Sequence, residues 1–384
     1  MSSNTISTHV TTTVTLGSGG YGDTLTLTGA ADLAPSAGGA NGIIVPVSQS
    51  GVQITNDGRI VAGTGNASVA GGIGVDMLGA GTLVNHGTIE GGYSGTLGLP
   101  LGGAGVFLGR LATLTNFGTI LGGNANYGGF AGAGVYVDGG TMANNGVIAG
   151  GAGEADGSTG GAGVKLAAGG TLINSGTITG GTAGNVVFSS GTGSDSGDGV
   201  DILSNASLTN NGTIIGGAAG YGGFGTIGLS GAGVFLAAGG TITNNRLIEG
   251  GSAGYGSNVP GGAGVEMGAG GTLINRGIIT GGYGGIPSFA FGAGNSPGGD
   301  GVDVVSFGVI SNGGTITGGI GGSEPASYGT GGDGVYLHAG ALINGGLIRG
   351  GAAGVYGNFN SLSNHGGNAG GIGVKLASDG TITN

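Results

Sequence analysis

The sequence predicts an all-β fold, a single-stranded parallel β-solenoid with about one coil per repeat of 28–40 residues and three short strands per coil. Three observations carry that prediction. An Asn followed four residues later by Ile recurs at Asn56, Asn85, Asn116, Asn144, Asn174, Asn210, Asn244, Asn275, Asn312 and Asn344, and a further Asn, Asn384, ends the series. Within each repeat three apolar alternations follow one another, G-V-x-L, then T-L-x-N, then G-T-I-x-G-G. Glycine supplies 109 of 384 residues, yet there are only 7 prolines and no strict Gly-X-Y period, which excludes a collagen helix.

Each element follows from the same pattern. Period-two alternation over a few residues, bounded by Gly, reads as short half-buried strands joined by tight turns, and Gly and Thr at this density disfavour helix. In the repeat around Asn244, Val234, Leu236, Ile242 and Ile248 are predicted to point inward, with Phe235, Thr243 and Leu247 pointing out. Four aliphatic side chains cannot offset the ordering of about thirty residues, so one coil cannot fold alone. Stacking supplies the missing half of each core. The Asn residues at one corner are expected to stack as an amide ladder.

The chain divides into residues 1–40, Thr-rich strands without the Asn frame that read as a cap or docking segment, and residues 41–384, a β-solenoid of about ten repeats. No G-T-I strand follows Asn384, so the last coil is expected to be incomplete and open to head-to-tail strand addition by another subunit.

The run L-x-N-x-G-x-I, as Leu172, Asn174, Gly176 and Ile178 or Leu273, Asn275, Gly277 and Ile279, resembles the repeats of bacterial autotransporter passengers and filamentous-haemagglutinin-type adhesins. The resemblance covers the chain from about residue 42 onward. It implies a right-handed β-helix acting outside the cell or on the bacterial surface as an adhesin, fibre or scaffold. A secretory signal and a C-terminal membrane barrel, both part of the autotransporter pattern, are not seen in the sequence.

Composition bounds the partners. With 7 Lys and Arg against 18 Asp and Glu, the net charge of −11 disfavours nucleic acid and anionic membrane. No stretch approaches the roughly 18 apolar residues of a membrane helix. The absence of Cys removes disulfides and thiolate chemistry together.

The outward residue of G-V-x-L forms the most varied column: Asp76, then Phe107, Tyr136, Lys165, Asp201, Phe235, Glu266, Asp303, Tyr336 and Lys375. It reads either as a contact stripe for sugars or a neighbouring fibre, or as a solvated strand face with stabilising pairs such as Lys165 beside Asp201. Variable joins after Gly-Gly carry many of the aromatics, as in "NANYGGFAG" at 124–132, "AAGYGGFGTIGLSG" at 218–231 and "YGGIPSFAFGAGNSPGGD" at 283–300. Those rings read either as a contact wall along one edge or as local plugs on the solenoid.

Other chemistry finds little support. "GGIGVDML" at 71–78, "SGDGVDIL" at 196–203 and "GGDGVDVV" at 298–305 echo calcium-binding nonapeptides but occur singly, leaving only weak cation binding near Glu266 and Asp303 open. His9, His86, His338 and His365 share no repeat position, so no catalytic or metal constellation follows. Thr88, Thr119, Thr177, Thr213 and Thr315 align as an ice-binding face would, but Val147, Leu247, Ile278 and Leu347 interrupt them.

The expectation is therefore a non-catalytic extracellular structural or adhesive fibre component with no cofactor and no metal. Its partners would be copies of itself, head-to-tail or lateral, and host or matrix surface glycans or proteins. The alternative is a polysaccharide-binding or polysaccharide-cleaving β-helix of the tailspike or lyase kind.

Overall fold

A computed structural model describes residues 3–17, 21–95, 101–154, 157–185, 195–220, 228–254, 259–285, 296–323, 329–354 and 369–384. Their regular structure is all β, in three parallel sheets of 13, 12 and 12 strands. Each coil lends one strand to each sheet in turn. The coil around Asn144 does so with Val135–Val137, Thr141–Asn144 and Val147–Ala149. These sheets are called here the Val sheet, the Asn sheet and the Ile sheet.

Like stacks on like throughout. Val106 pairs with Val135, Leu114 with Met142, Asn116 with Asn144, and Ile120 with Ile148. Alternation explains the burial: Val234, Leu236, Ile242 and Ile248 are fully buried, as the repeat pattern predicts, while Phe235, Thr243 and Leu247 are partly exposed. The aliphatic columns form one continuous core from Ile6 to Leu342.

The corner between the Asn and Ile sheets is held by the expected ladder. Every side-chain amide from Asn56 to Asn344 donates to Oδ1 of the Asn one coil on, at 2.7–2.9 Å, ending at Asn384. The Asn116 amide also lies 3.2 Å from the Gly118 carbonyl and 3.3 Å from that of Val147. Burial of the amides from Asn85 to Asn312 costs little because each is hydrogen-bonded to an Asn on both sides.

Glycine has a second task beyond the turns. The leg leaving the Ile sheet and the leg entering the Val sheet bond to each other in a zigzag: Gly103 N–H to Gly92 O, Gly123 to Gly103, Gly132 to Gly123, and Gly151 to Gly132, at 2.8–2.9 Å. The same zigzag runs on to Gly371. No side chain fits between legs this close. A Cβ on Gly132 would sit 1.9 Å from the Gly103 carbonyl oxygen.

The solenoid does not begin at residue 41. Ser3–Ile6 pairs with Thr24–Leu27, which pairs in turn with Val52–Asn56, and His9–Val10, Asp32–Leu33, Val14–Thr15 and Ile43–Val45 join the other two sheets. Residues 3–45 are thus two further coils in register. Leu27 and Ile6 occupy the ladder position, so an apolar corner replaces the amide there.

Candidate functional site

The sequence-predicted stripe is one unbroken column on the outer face of the Val sheet. Asp76, Phe107, Tyr136, Lys165, Asp201, Phe235, Glu266, Asp303, Tyr336 and Lys375 pair successively in register. From Asp76 to Tyr336 its residues are half-buried, and Asp201 is only 8% exposed. A second column, three residues earlier in each coil, walls it: Ala104, Ala133, Ala162, Asp198, Ala232, Ala263, Asp300 and Asp333. The two columns line a groove along the rod, with open troughs of about 660 Å³ and 550 Å³.

The first trough is aromatic at one end. Phe107 and Tyr136 stack with centroids 5.5 Å apart and planes 15° off parallel, and Phe130 from the join beside them is half exposed along the same wall. Lys165 follows, its Nζ 3.0 Å from the carboxylate of Asp201, as the sequence pairing anticipates. At the far end of the second trough Lys375 lies 4.2 Å over the Tyr336 ring and 3.6 Å from Asp333, and His338 packs against Tyr336 at 4.4 Å.

Between these ends the groove is acidic. Asp198, Asp300 and Asp333 each accept a backbone N–H from the next coil through Oδ1, from Ala232 at 2.7 Å, Asp333 at 2.6 Å and Ile372 at 2.8 Å. These carboxylates extend the strand ladder and sit beside the stripe acids. Burial, reinforced by the charges of Asp201 and Glu266, pushes Asp198 up to about 7 against the pull of the Ala232 N–H and Lys165. Burial raises Asp300 to about 6, with Asp333 and Asp303 adding to it. Glu266 is raised by burial and then by Asp303; Asp303 and Asp76 are raised by burial. Asp76, Asp201 and Asp303 each bury an Oδ1 that has no hydrogen-bond partner.

Glu266 and Asp303 are vertical neighbours, as the sequence suggests. Among the described residues no group of three or more His, Asp or Glu is arranged to hold a metal ion. His9 bonds Asp32 and His86 bonds Asp57, both at 2.9 Å and both exposed, far along the chain from His338; His365 lies outside the described residues. Of the join aromatics, Tyr127 and Tyr283 are exposed, while Tyr221, Phe224, Phe289 and Phe291 lie outside the described residues. The wall acids Asp198, Asp300 and Asp333 were missed from sequence, although G-D-G-V recurs at each of them. The groove can offer stacking rings, two ammonium groups and a line of hydrogen-bond acceptors to an extended chain.

No family model matches the chain, and comparison with curated proteins and with solved structures found no match.

Proposed function

We propose that this chain is a non-catalytic structural and adhesive β-solenoid, a fibre or adhesin component acting outside the cell or on a bacterial surface, and that its groove is the contact surface for surface glycans. It assembles with copies of itself. The observation that carries the reading is the stacked pair Phe107 and Tyr136 on the floor of a lengthwise groove. Flat rings with a neighbouring ammonium suit the apolar faces and hydroxyls of successive sugar units, and a half-buried floor leaves the rings little freedom to lose on binding. The resemblance of the L-x-N-x-G-x-I repeats to adhesin repeats supports the same class. A glycan array read with the unchanged chain and with the Phe107→Ala/Tyr136→Ala variant tests it: retention of a glycan that the variant loses supports the proposal, and retention indifferent to both rings sinks it.

One observation favours a second reading, a polysaccharide-cleaving site. Glu266 and Asp303 are paired on adjacent coils, and their surroundings differ: burial and the Asp303 charge both raise Glu266, whereas His338 and Lys375 pull against the burial that raises Asp303, the kind of asymmetry that separates an acid from a base in glycosidic chemistry. Release of oligosaccharides from a retained glycan, abolished by Glu266→Gln, would decide for it.

A further inference from the structure

The three outer faces differ sharply in charge. On the Val sheet the stripe carries most of the groove's acids, and on the Ile sheet Arg59, Glu90, Glu249 and Arg349 point outward. On the Asn sheet none of the 7 basic and 18 acidic residues occupies an outward position in any of the 13 strands. Its two outward columns are Thr, Ser, Gln, Val, Ala and Ile throughout, and register pairs them as Thr113 over Thr141 and Thr241 over Thr272, with Ile173 and Ile343 each about half exposed. Threonine periodicity is therefore strongest on a face that the sequence reading did not consider, on either side of the Leu in T-L-x-N.

We infer that this threonine face is where a second copy of the chain docks, side by side, about a twofold axis. The inference rests on the self-association in the proposed function and names its surface. Area is the first argument. Thirteen strands at about 4.8 Å, each showing about four residues at about 3.3 Å, make a face of roughly 800 Å², the share that one partner contributes to a stable interface. Charge is the second. Two chains of net charge −11 repel, and this face brings them together with no charged residue at its outward strand positions. The nearest charges lie at the two edges, Asp57 and Arg276 just past the Asn corner and Asp23 and Asp379 just before their strands on the other side, and form a polar rim. Shape is the third, because in-register columns of Thr, Val and Ile on two facing sheets interdigitate at about 10 Å. With full overlap, either direction of the partner sets the middle strand, Thr171–Asn174, against its own copy.

Sedimentation equilibrium of the full chain, up to about a hundred micromolar, is expected to show a dimer. The triple variant Thr115→Lys/Ile173→Lys/Thr243→Lys is expected to weaken it at least a hundredfold by burying ammonium groups without partners, with unchanged circular dichroism. Thr119→Lys/Thr177→Lys/Thr213→Lys on the Ile sheet is expected to leave it intact. Because the chain has no cysteine, Ile173→Cys provides a second measurement: a short bismaleimide is expected to join two copies at that position. A monomeric wild type, a dimer indifferent to the threonine-face lysines, or an Ile173→Cys variant that does not cross-link overturns the inference. So does a monomer that shapes growing ice, which would assign the face to ordered water. Glycan retention by Phe107 and Tyr136 is measured apart from all of these, so pairing and groove binding fail separately.

Discussion

The side-chain amide of Asn174 donates to Oδ1 of Asn210 at 2.8 Å across 36 residues of chain, and Asn116 makes the same bond to Asn144 across 28. Register is therefore set by what stacks, and the length of the intervening join does not enter it. Each amide in the middle of the ladder bonds the Asn before and the Asn after it.

Replacing Asn174 by Ala is expected to cost about 2–6 kcal/mol, because Asn144 Nδ2 and Asn210 Oδ1 each lose a buried partner at about 1–3 kcal/mol apiece. Asn344→Ala should cost clearly less, since its outer partner Asn384 is exposed. Urea denaturation of both variants checks this, and equal losses would contradict a cooperative buried ladder.

Stability is expected to fall as pH rises from about 5 to about 8. Asp198 at about 7 and Asp300 at about 6, with Glu266, Asp303 and Asp76 also raised, bind protons more tightly folded than unfolded, where carboxylates titrate near 4. Their contribution is complete below about pH 4 and is lost as pH climbs through the folded values. Asp198→Asn keeps the acceptor for the Ala232 N–H and should raise the melting temperature near pH 8 while flattening the upper part of the slope. A wild-type melting temperature that climbs over this range would refute the assignment.

Lys165→Met should destabilise the chain by about 1–3 kcal/mol at neutral pH, since it leaves the nearly buried Asp201 without its 3.0 Å partner. Adding Asp201→Asn should recover most of the loss. A double-mutant cycle measures the coupling, and additive losses would mean the pair is worth nothing.

Gly132→Ala should be among the most damaging substitutions, beyond about 4 kcal/mol or preventing folding, because its methyl meets the Gly103 carbonyl at 1.9 Å and the legs would have to part. Gly313→Ala, whose methyl meets only the Asn275 carbonyl at 3.8 Å, should change stability by no more than about 0.5 kcal/mol. Similar melting temperatures for the two would show that the legs can separate at little cost.

Much of the rod was legible because one rule repeats. The step from Asn to Ile marks the corner, so the buried columns and the order of the stripe followed by counting. What was not legible depends on chain far apart in sequence. Asp198 appears in the sequence only inside the calcium-like run at 196–203, and only the leg's path beside the Val sheet makes it and Asp333 a wall. The pairing of Gly92 with Gly103, or of Gly351 with Gly371, needs both legs in place before its reason is visible. The first two coils were hidden because Ile6 and Leu27 stand where the counted Asn should be. The threonine face is not legible from composition because Thr suits any exposed strand position, and only the assembled sheet shows two columns that no charge interrupts.

The glycine zigzag closes every join at its base, whether the joined residues are 92 and 103 or 351 and 371. The first residues beyond that closure still bond from coil to coil, as Ser94 N–H does to Asn124 O and Ala125 N–H to Ala152 O, so the base of each join belongs to the stack. Because the closure is the same for joins of different length, the number of residues between two glycines can vary while the core columns stay in register, so join length and interior can evolve on separate clocks within one polypeptide.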